Sequence, residues 1–134
     1  DGGEDTTGVR WVARATDAEL AGWYAGAVAM MYPSKYEGFG LPVLEAMSAG
    51  CPVVTTRGGA IPEVAGEAAL YCDADKPGEW GEAVRRLLRR KEERVQWGAL
   101  GRAQAAKFSW ARCAEGTVAA YAQAMAARNR RASA

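Results

Sequence analysis

Two carboxylates eight residues apart, Glu37 and Glu45, bracket a glycine-bearing turn in the stretch Tyr32-Pro-Ser-Lys-Tyr-Glu-Gly-Phe-Gly-Leu-Pro-Val-Leu-Glu45. Gly38 and Gly40 would let the main chain approach a ligand where a Cβ would intrude. Pro42 suits the first position of a helix, which puts Leu41, a residue with no side-chain acceptor, at the N-cap. On that reading the amides of Val43, Leu44 and the glycine turn lack protein partners, and with the helix dipole they suit an anion. Glu45 then falls in the first helical turn. A carboxylate there either complements the dipole, worth about 0.3–1 kcal/mol, or accepts hydrogen bonds from vicinal sugar hydroxyls, as acidic residues do for ribose in nucleotide folds. A carboxylate on each side of a phosphate cradle would hold hydroxyls at both ends of a nucleotide sugar. The plainer alternative is a hydrated turn carrying two surface glutamates.

What the chain lacks narrows the chemistry. None of its 134 residues is histidine, so the commonest general base and neutral metal ligand are missing. Seventeen basic and sixteen acidic residues leave a formal charge of +1. That balance argues against nucleic acid as a partner, which would call for a basic excess. The cysteines at 51, 72 and 113 are widely spaced in apolar contexts and read as small buried hydrophobes in a reducing compartment. No signal peptide is evident, and no apolar run is long enough to span a bilayer. The polar start, Asp1 to Gly8, has no initiator methionine and reads as a flexible lead cut from within a longer protein.

The elements that must position the two glutamates follow in order. Val9 to Ala13 is short, β-branched and aromatic, and predicts a strand. Thr16-Asp-Ala-Glu19 fits a capping box opening a helix from about Asp17 to Gly26. Ala27 to Tyr32, closed by Pro33, predicts a strand buried on both faces. A short helix over 42–49 ends at Gly50, and Cys51 to Thr56 predicts the next strand. Arg57 to Val64 is a second glycine-rich turn entering a short helix, with Glu63 at its start as a structural residue. Ala68 to Cys72 predicts a last strand. Helices follow, with stripes at Ala83, Val84, Leu87 and Leu88, then Val95, Leu100 and Ala103, then Trp110, Cys113, Thr117, Tyr121 and Met125. Trp110 and Tyr121 read as core anchors, and Ser109 as an N-cap. Arg85, Arg86, Arg89, Arg90 and Lys91, answered by Glu92 and Glu93, read as a solvated face, with an anionic-membrane contact as the second reading. The tail from about Arg128 is expected to fray. Alternating strands and helices imply βα units and a parallel sheet. Four strands fall short of the six usual in a doubly wound domain, so the sheet reads as incomplete at its front.

Pro33-Ser34, Glu37-Gly-Phe-Gly-Leu-Pro-Val-Leu-Glu45-Ala-Met, Gly50-Cys-Pro-Val-Val and Gly59-Ala-Ile-Pro-Glu-Val-Ala-Gly66 occur in order, and Phe108-Ser-Trp110 precedes the last helix. In these motifs the chain resembles the nucleotide-sugar-binding domain of retaining GT-B glycosyltransferases, from Val9 to about Met125. The resemblance implies an α/β fold: a Rossmann-like parallel sheet, the GT-B C-terminal domain with its first strands missing, followed by C-terminal helices. Its extent would be residues 9–127, between the flexible start (1–8) and the frayed tail (128–134). It implies Glu37 as the catalytic carboxylate, contacting donor-sugar hydroxyls near the reacting carbon as a positioning and electrostatic group. It implies donor sugar and diphosphate on the amides of Gly38, Phe39, Gly40 and Leu41, ribose on Glu45, and the base near Arg14 and Ala15. Reaction on one face of the sugar, with the donor phosphate helping to deprotonate the acceptor, suits a chain without histidine.

Two departures from the family pattern stand out. A glycine is usual near Ala13, and the arginine and lysine that neutralise the diphosphate have no counterpart here. Arg57 and Lys35 are not at matching positions and read as solvated surface. The expected function is therefore part of a glycosyltransferase that moves a sugar from a nucleotide-sugar donor with retention, the isolated piece being inactive. A non-catalytic nucleotide-sugar-binding or assembly module is the alternative, and an epimerase would be expected to carry histidine. Implied partners are the nucleotide sugar, an unidentified acceptor, the protein's own N-terminal domain, and a second copy through self-association. No cofactor or metal is expected. The expected location is the cytoplasm, with the parent protein touching the inner face of the membrane peripherally.

Overall fold

The structure is a computed structural model and describes residues 8–132; most of the expected flexible start and the last two residues lie outside that range. Nine elements follow in order: α1 (Asp17–Gly26), β1 (Met30–Tyr32), α2 (Leu41–Ser48), β2 (Val53–Thr55), α3 (Ile61–Ala65), β3 (Ala69–Tyr71), α4 (Pro77–Arg89), α5 (Lys91–Ala105) and α6 (Trp110–Ala132). The strands form one parallel sheet, β1-β2-β3, in the register Met30–Val53–Ala69 to Tyr32–Thr55–Tyr71.

β2 is central and fully buried, because its alternate side chains enter two different cores. Val53 faces a core with Val43, Ala46 and Met47 of α2, Ile61, Val64 and Ala65 of α3, and Ala105 of α5. Val54 faces the other side, against Trp80 and Leu87 of α4. The result is three layers, helices on both faces of the sheet, the arrangement that parallel strands require.

Several local expectations hold. The capping box of α1 is complete: the Glu19 amide donates to Thr16 Oγ1 at 3.3 Å and the Thr16 amide to Glu19 Oε2 at 2.8 Å. The Thr16 amide first, and the Thr16 hydroxyl donating to Glu19 Oε2 at 2.8 Å second, hold the Glu19 carboxyl below its usual range. Ser109 caps α6, accepting the Arg112 amide at 3.2 Å. Glu63 lies in the first turn of α3.

Other expectations are corrected. Val9 to Ala13 forms no strand: it is exposed and unpaired among the described residues, with Trp11 90 % exposed. β-type composition specifies a strand only where a ladder partner exists. β1 is shorter than predicted and half-buried rather than buried on both faces, because it is an edge strand whose Met31 is exposed. In α5 the buried face is not Val95, Leu100 and Ala103 but Gly98, Gly101 and Ala105. α5 lies so close to α2 and the turn after it that a Cβ on Gly101 would meet Met47 Cγ at 3.3 Å and one on Gly98 would meet the Gly50 carbonyl oxygen at 2.5 Å. Small residues mark that face, and a search for large apolar residues misses it. Leu88 of the α4 stripe is exposed, while Leu87 is fully buried.

α6 departs furthest. It is helical through Ala132, past the point near Arg128 where fraying was expected. Its stripe is solvent-exposed, so Trp110 and Tyr121 are not core anchors, and Cys113 is not a buried cysteine. Cys51 is buried, and burial pushes its thiol up; Cys72 is half-buried, and all three are free. No helix among the described residues is long and apolar enough to cross a membrane.

Candidate functional site

The loop from Pro33 to Gly40 leaves β1 and enters α2. Gly40, not Leu41, is the N-cap, with φ 92° and ψ 48°, so α2 begins one residue earlier than the proline suggested. The nearest atom to a Cβ there would be Ile61 Cγ1 at 3.8 Å. Space would allow a side chain; the left-handed backbone is what favours glycine. This start also corrects the amide inventory. Val43 and Leu44 both donate to the Gly40 carbonyl, at 3.0 and 3.3 Å. The amides of Gly38, Phe39, Gly40 and Leu41 donate to no protein acceptor among the described residues, and neither do those of Ser34 to Glu37 earlier in the loop. A Cβ on Gly38 would meet nothing within 4 Å, so the turn is open on that side.

Glu37 is fixed at both ends. Its carbonyl accepts the Ala60 amide at 2.9 Å. Its carboxylate Oε1 accepts the Tyr32 hydroxyl at 2.6 Å. That hydroxyl, more than Ser34, holds the Glu37 carboxyl below its usual range. Ser34 Oγ itself donates to the Tyr36 carbonyl at 3.2 Å, so the direct contact is the one from Tyr32.

The second glycine turn, read from sequence only as a connection, is the buttress of the first. Thr55 Oγ1 donates to the Tyr32 carbonyl at 3.0 Å, and Thr56 Oγ1 donates to the Ser34 carbonyl. Both threonines are buried. A Cβ on Gly58 would sit 2.3 Å from the Lys35 carbonyl oxygen, and one on Gly59 would sit 2.2 Å from that of Glu37. Backbone lies on backbone here. The available signal was the pair Thr55-Thr56 ahead of Gly58-Gly59, polar residues ending a buried strand where only the neighbouring loop could satisfy them.

Glu45 lies on the exposed side of α2, in its second turn rather than its first, because the helix starts at Leu41. It lines a groove of about 740 Å³ with Phe39, Leu41, Leu44, Phe108 and Trp110 among others. Phe39 meets Phe108 edge-on, ring centroids 6.0 Å apart. The structure thus brings Phe39, Leu41 and Glu45 to one groove and joins them to the Phe108-Ser-Trp110 segment. Glu37 lies outside that groove, at the clamped end of the loop. Arg14 and Ala15 lie on the exposed segment ahead of α1, away from the lining.

Lys35, Arg57 and part of the basic cluster are engaged locally. Lys35 pairs with Asp75 at 2.5 Å, both exposed. Arg57 is exposed, yet its guanidinium stacks 4.0 Å from the Tyr71 ring centroid, so it is more than free surface. In the basic cluster, Arg86 and Arg90 both pair with Glu93, and Arg94 caps α4 through the Leu87 and Leu88 carbonyls.

Parallel strands covered on both faces, with a glycine-rich turn entering a helix N-terminus at their carboxyl ends, define an α/β unit with that turn at the end of the sheet where open parallel folds take their ligands. The chain belongs to the glycosyl transferases group 1 family, whose sequence profile matches residues 3–90. It is 41 % identical over 113 residues to the O-antigen chain mannosyltransferase B of Escherichia coli, covering 84 % of this chain and 30 % of that protein. It is 43 % identical over 116 residues to an MMP alpha-(1->4)-mannosyltransferase of Mycolicibacterium hassiacum, covering 83 % and 28 %. Its fold matches that of sucrose-phosphate synthase from Thermosynechococcus elongatus, a GT-B enzyme, with a TM-score of 0.76 and 28 % identity over 87 % of this chain and 30 % of that one. The chain therefore spans less than a third of the length of each of these relatives.

Proposed function

We propose that this chain supplies the donor-binding loop of a glycosyltransferase that moves a sugar from a nucleotide-sugar donor to an acceptor with retention of configuration. The observation that carries it is the pairing of a fixed Glu37 carboxylate with four unpartnered amides, Gly38 to Leu41, ahead of α2. Amides at a helix start take phosphate oxygens, and a carboxylate beside them accepts sugar hydroxyls. In this reading the E-x7-E loop holds the donor at both ends: Glu37 takes the transferred sugar and the Gly38–Leu41 amides its diphosphate. Glu45 takes the ribose from the wall of the adjoining groove, and Arg14 and Ala15 border the base. Glu37 acts by position and charge, and the donor's own phosphate receives the acceptor proton. The protein works in the cytoplasm, with a peripheral contact at the inner membrane face, and needs no metal. Acceptor groups come from other parts of the polypeptide, so the 134-residue chain by itself has no turnover, because much of the acceleration comes from holding both substrates together.

The test is a transfer assay in EDTA on the full-length protein with GDP-mannose, UDP-glucose and UDP-N-acetylglucosamine, reading the anomeric configuration of the product by NMR. Transfer with retention by the full-length protein, and none by the isolated chain, is the expected result. An inverted product would overturn the mechanism. Tight donor binding with no transfer to any acceptor tried would favour the non-catalytic binding module instead.

A further inference from the structure

We propose that Tyr32 is a positioning residue for Glu37: its hydroxyl, delivered from the end of β1, holds the Glu37 carboxylate in a fixed orientation beside the glycine turn. This deepens the proposed function and rests on the reading of Glu37 as a donor-sugar contact.

Tyr32 cannot drift. It pairs with Thr55 in the β1–β2 ladder, its carbonyl accepts Thr55 Oγ1 at 3.0 Å, and its half-buried ring packs against the α2 core. From that fixed point its hydroxyl reaches Glu37 Oε1 at 2.6 Å, in the short range of hydrogen bonds to an ionised acceptor. The Glu37 main chain is held independently by the Ala60 amide and by the close approach of Gly59. A free glutamate would lose side-chain freedom on meeting a sugar; here that ordering is already done in the folded protein.

The protonation states agree with the geometry. A phenol donating to a carboxylate favours the ionised acid and disfavours the ionised phenol. Tyr32 is pushed up to about 12, first by the Glu37 hydrogen bond and then by burial, with Tyr24 of α1 the other titratable group acting on it. Glu37 is held down by Tyr32 first and Ser34 second. Its charge thus persists to lower pH than an unheld glutamate's would. Removing the hydroxyl raises the pH at which Glu37 takes up its proton.

Tyr32→Phe in the full-length protein keeps the ring and removes the donor. Carboxyl 13C NMR of Glu37 is expected to show its titration displaced upward. Calorimetric binding of GDP-mannose and UDP-glucose is expected to weaken about ten-fold for whichever one binds, with the acid limb of that binding moving up in pH. A purely structural role for Tyr32 would lower thermal stability without moving that limb. Glu37→Gln tests the same contact from the other side, and the Tyr32 phenol should then titrate back toward the ordinary tyrosine range. An unmoved Glu37 titration in the first variant, or an unmoved Tyr32 titration in the second, overturns the proposal. If both titrations move while neither nucleotide sugar binds the wild-type protein, the positioning contact stands and the donor reading fails.

Discussion

At the carboxyl ends of β1 and β2 the backbone is packed so tightly that a methyl group on Gly58 or Gly59 would overlap the neighbouring loop. α6, by contrast, runs for 23 residues with Trp110, Val118, Tyr121 and Met125 each at least 66 % exposed. Both regions satisfy their local rules. α6 has its Ser109 cap and an apolar stripe at helical spacing, and the loop has its glycines at the turns. They differ in what lies against them. Burial is a property of two surfaces, and only the loop meets its second surface among the described residues.

The largest effect expected from this contrast is functional and lies in the clamped loop. Glu37→Gln keeps the shape and removes the charge, and should lower transfer by the full-length protein about 10²–10³-fold, the range for deleting one preorganised electrostatic contact. Steady-state kinetics would read it, and an activity close to wild type would show that the clamp holds the wrong residue. Next comes the clamp itself. Gly59 has φ 58° as well as the overlap with Glu37, so Gly59→Ala combines backbone strain with overpacking. We expect a loss of about 3 kcal/mol in denaturant unfolding. Gly116 of α6 is the matched control, because a Cβ there meets nothing within 4 Å. Gly116→Ala should raise helix stability by about 1 kcal/mol. Equal responses at the two glycines would erase the distinction between the regions.

How much of this was legible follows the same line. The α1 capping box, the Ser109 cap and the parallel strand-helix alternation depend on neighbours in sequence, and these could be read directly. The α2 start was misread by one residue, because Pro42 can occupy either of the first two helical positions and the Leu44 amide's bond to the Gly40 carbonyl decides between them. That one-residue slip put Glu45 in the first turn and counted Val43 and Leu44 with the free amides of the glycine turn. The Thr55, Thr56, Gly58 and Gly59 buttress was not legible as such, since its partners lie about twenty residues away across a parallel crossover. The α5 face was misread because close helix crossing selects glycine and alanine, which carry little signal in a search for large apolar residues. Trp110 and Tyr121 were read as core because periodicity reports a face and not what covers it.

The exposed face of α6 has a consequence for the isolated chain. A contiguous apolar stripe of this kind promotes association, and we expect the 134-residue chain to self-associate in light scattering. Tyr121→Glu combined with Met125→Glu should shift it toward monomer with little change in unfolding free energy, because neither side chain is buried. A wild-type chain that scatters as a monodisperse monomer would remove this difference between the two regions.

The smallest effect expected is at Arg57, and it asks what kind of contact makes the clamp. Arg57 immediately precedes Gly58, and its guanidinium lies 4.0 Å over Tyr71 of β3, whose hydroxyl donates to the Gly66 carbonyl at 2.6 Å. The buttress turn is therefore tied to the opposite edge of the sheet by one exposed cation–π contact. Such contacts are worth about 0.5–1 kcal/mol when solvent-exposed, so Arg57→Ala should cost about that much in denaturant unfolding. Arg57→Lys should recover part of it, since the ammonium keeps the charge but not the planar stack. If Arg57→Ala instead cost as much as Gly59→Ala, the turn would owe its position to a surface side chain. The backbone overlap at Gly58 and Gly59 would then be a result of the clamp and not its cause.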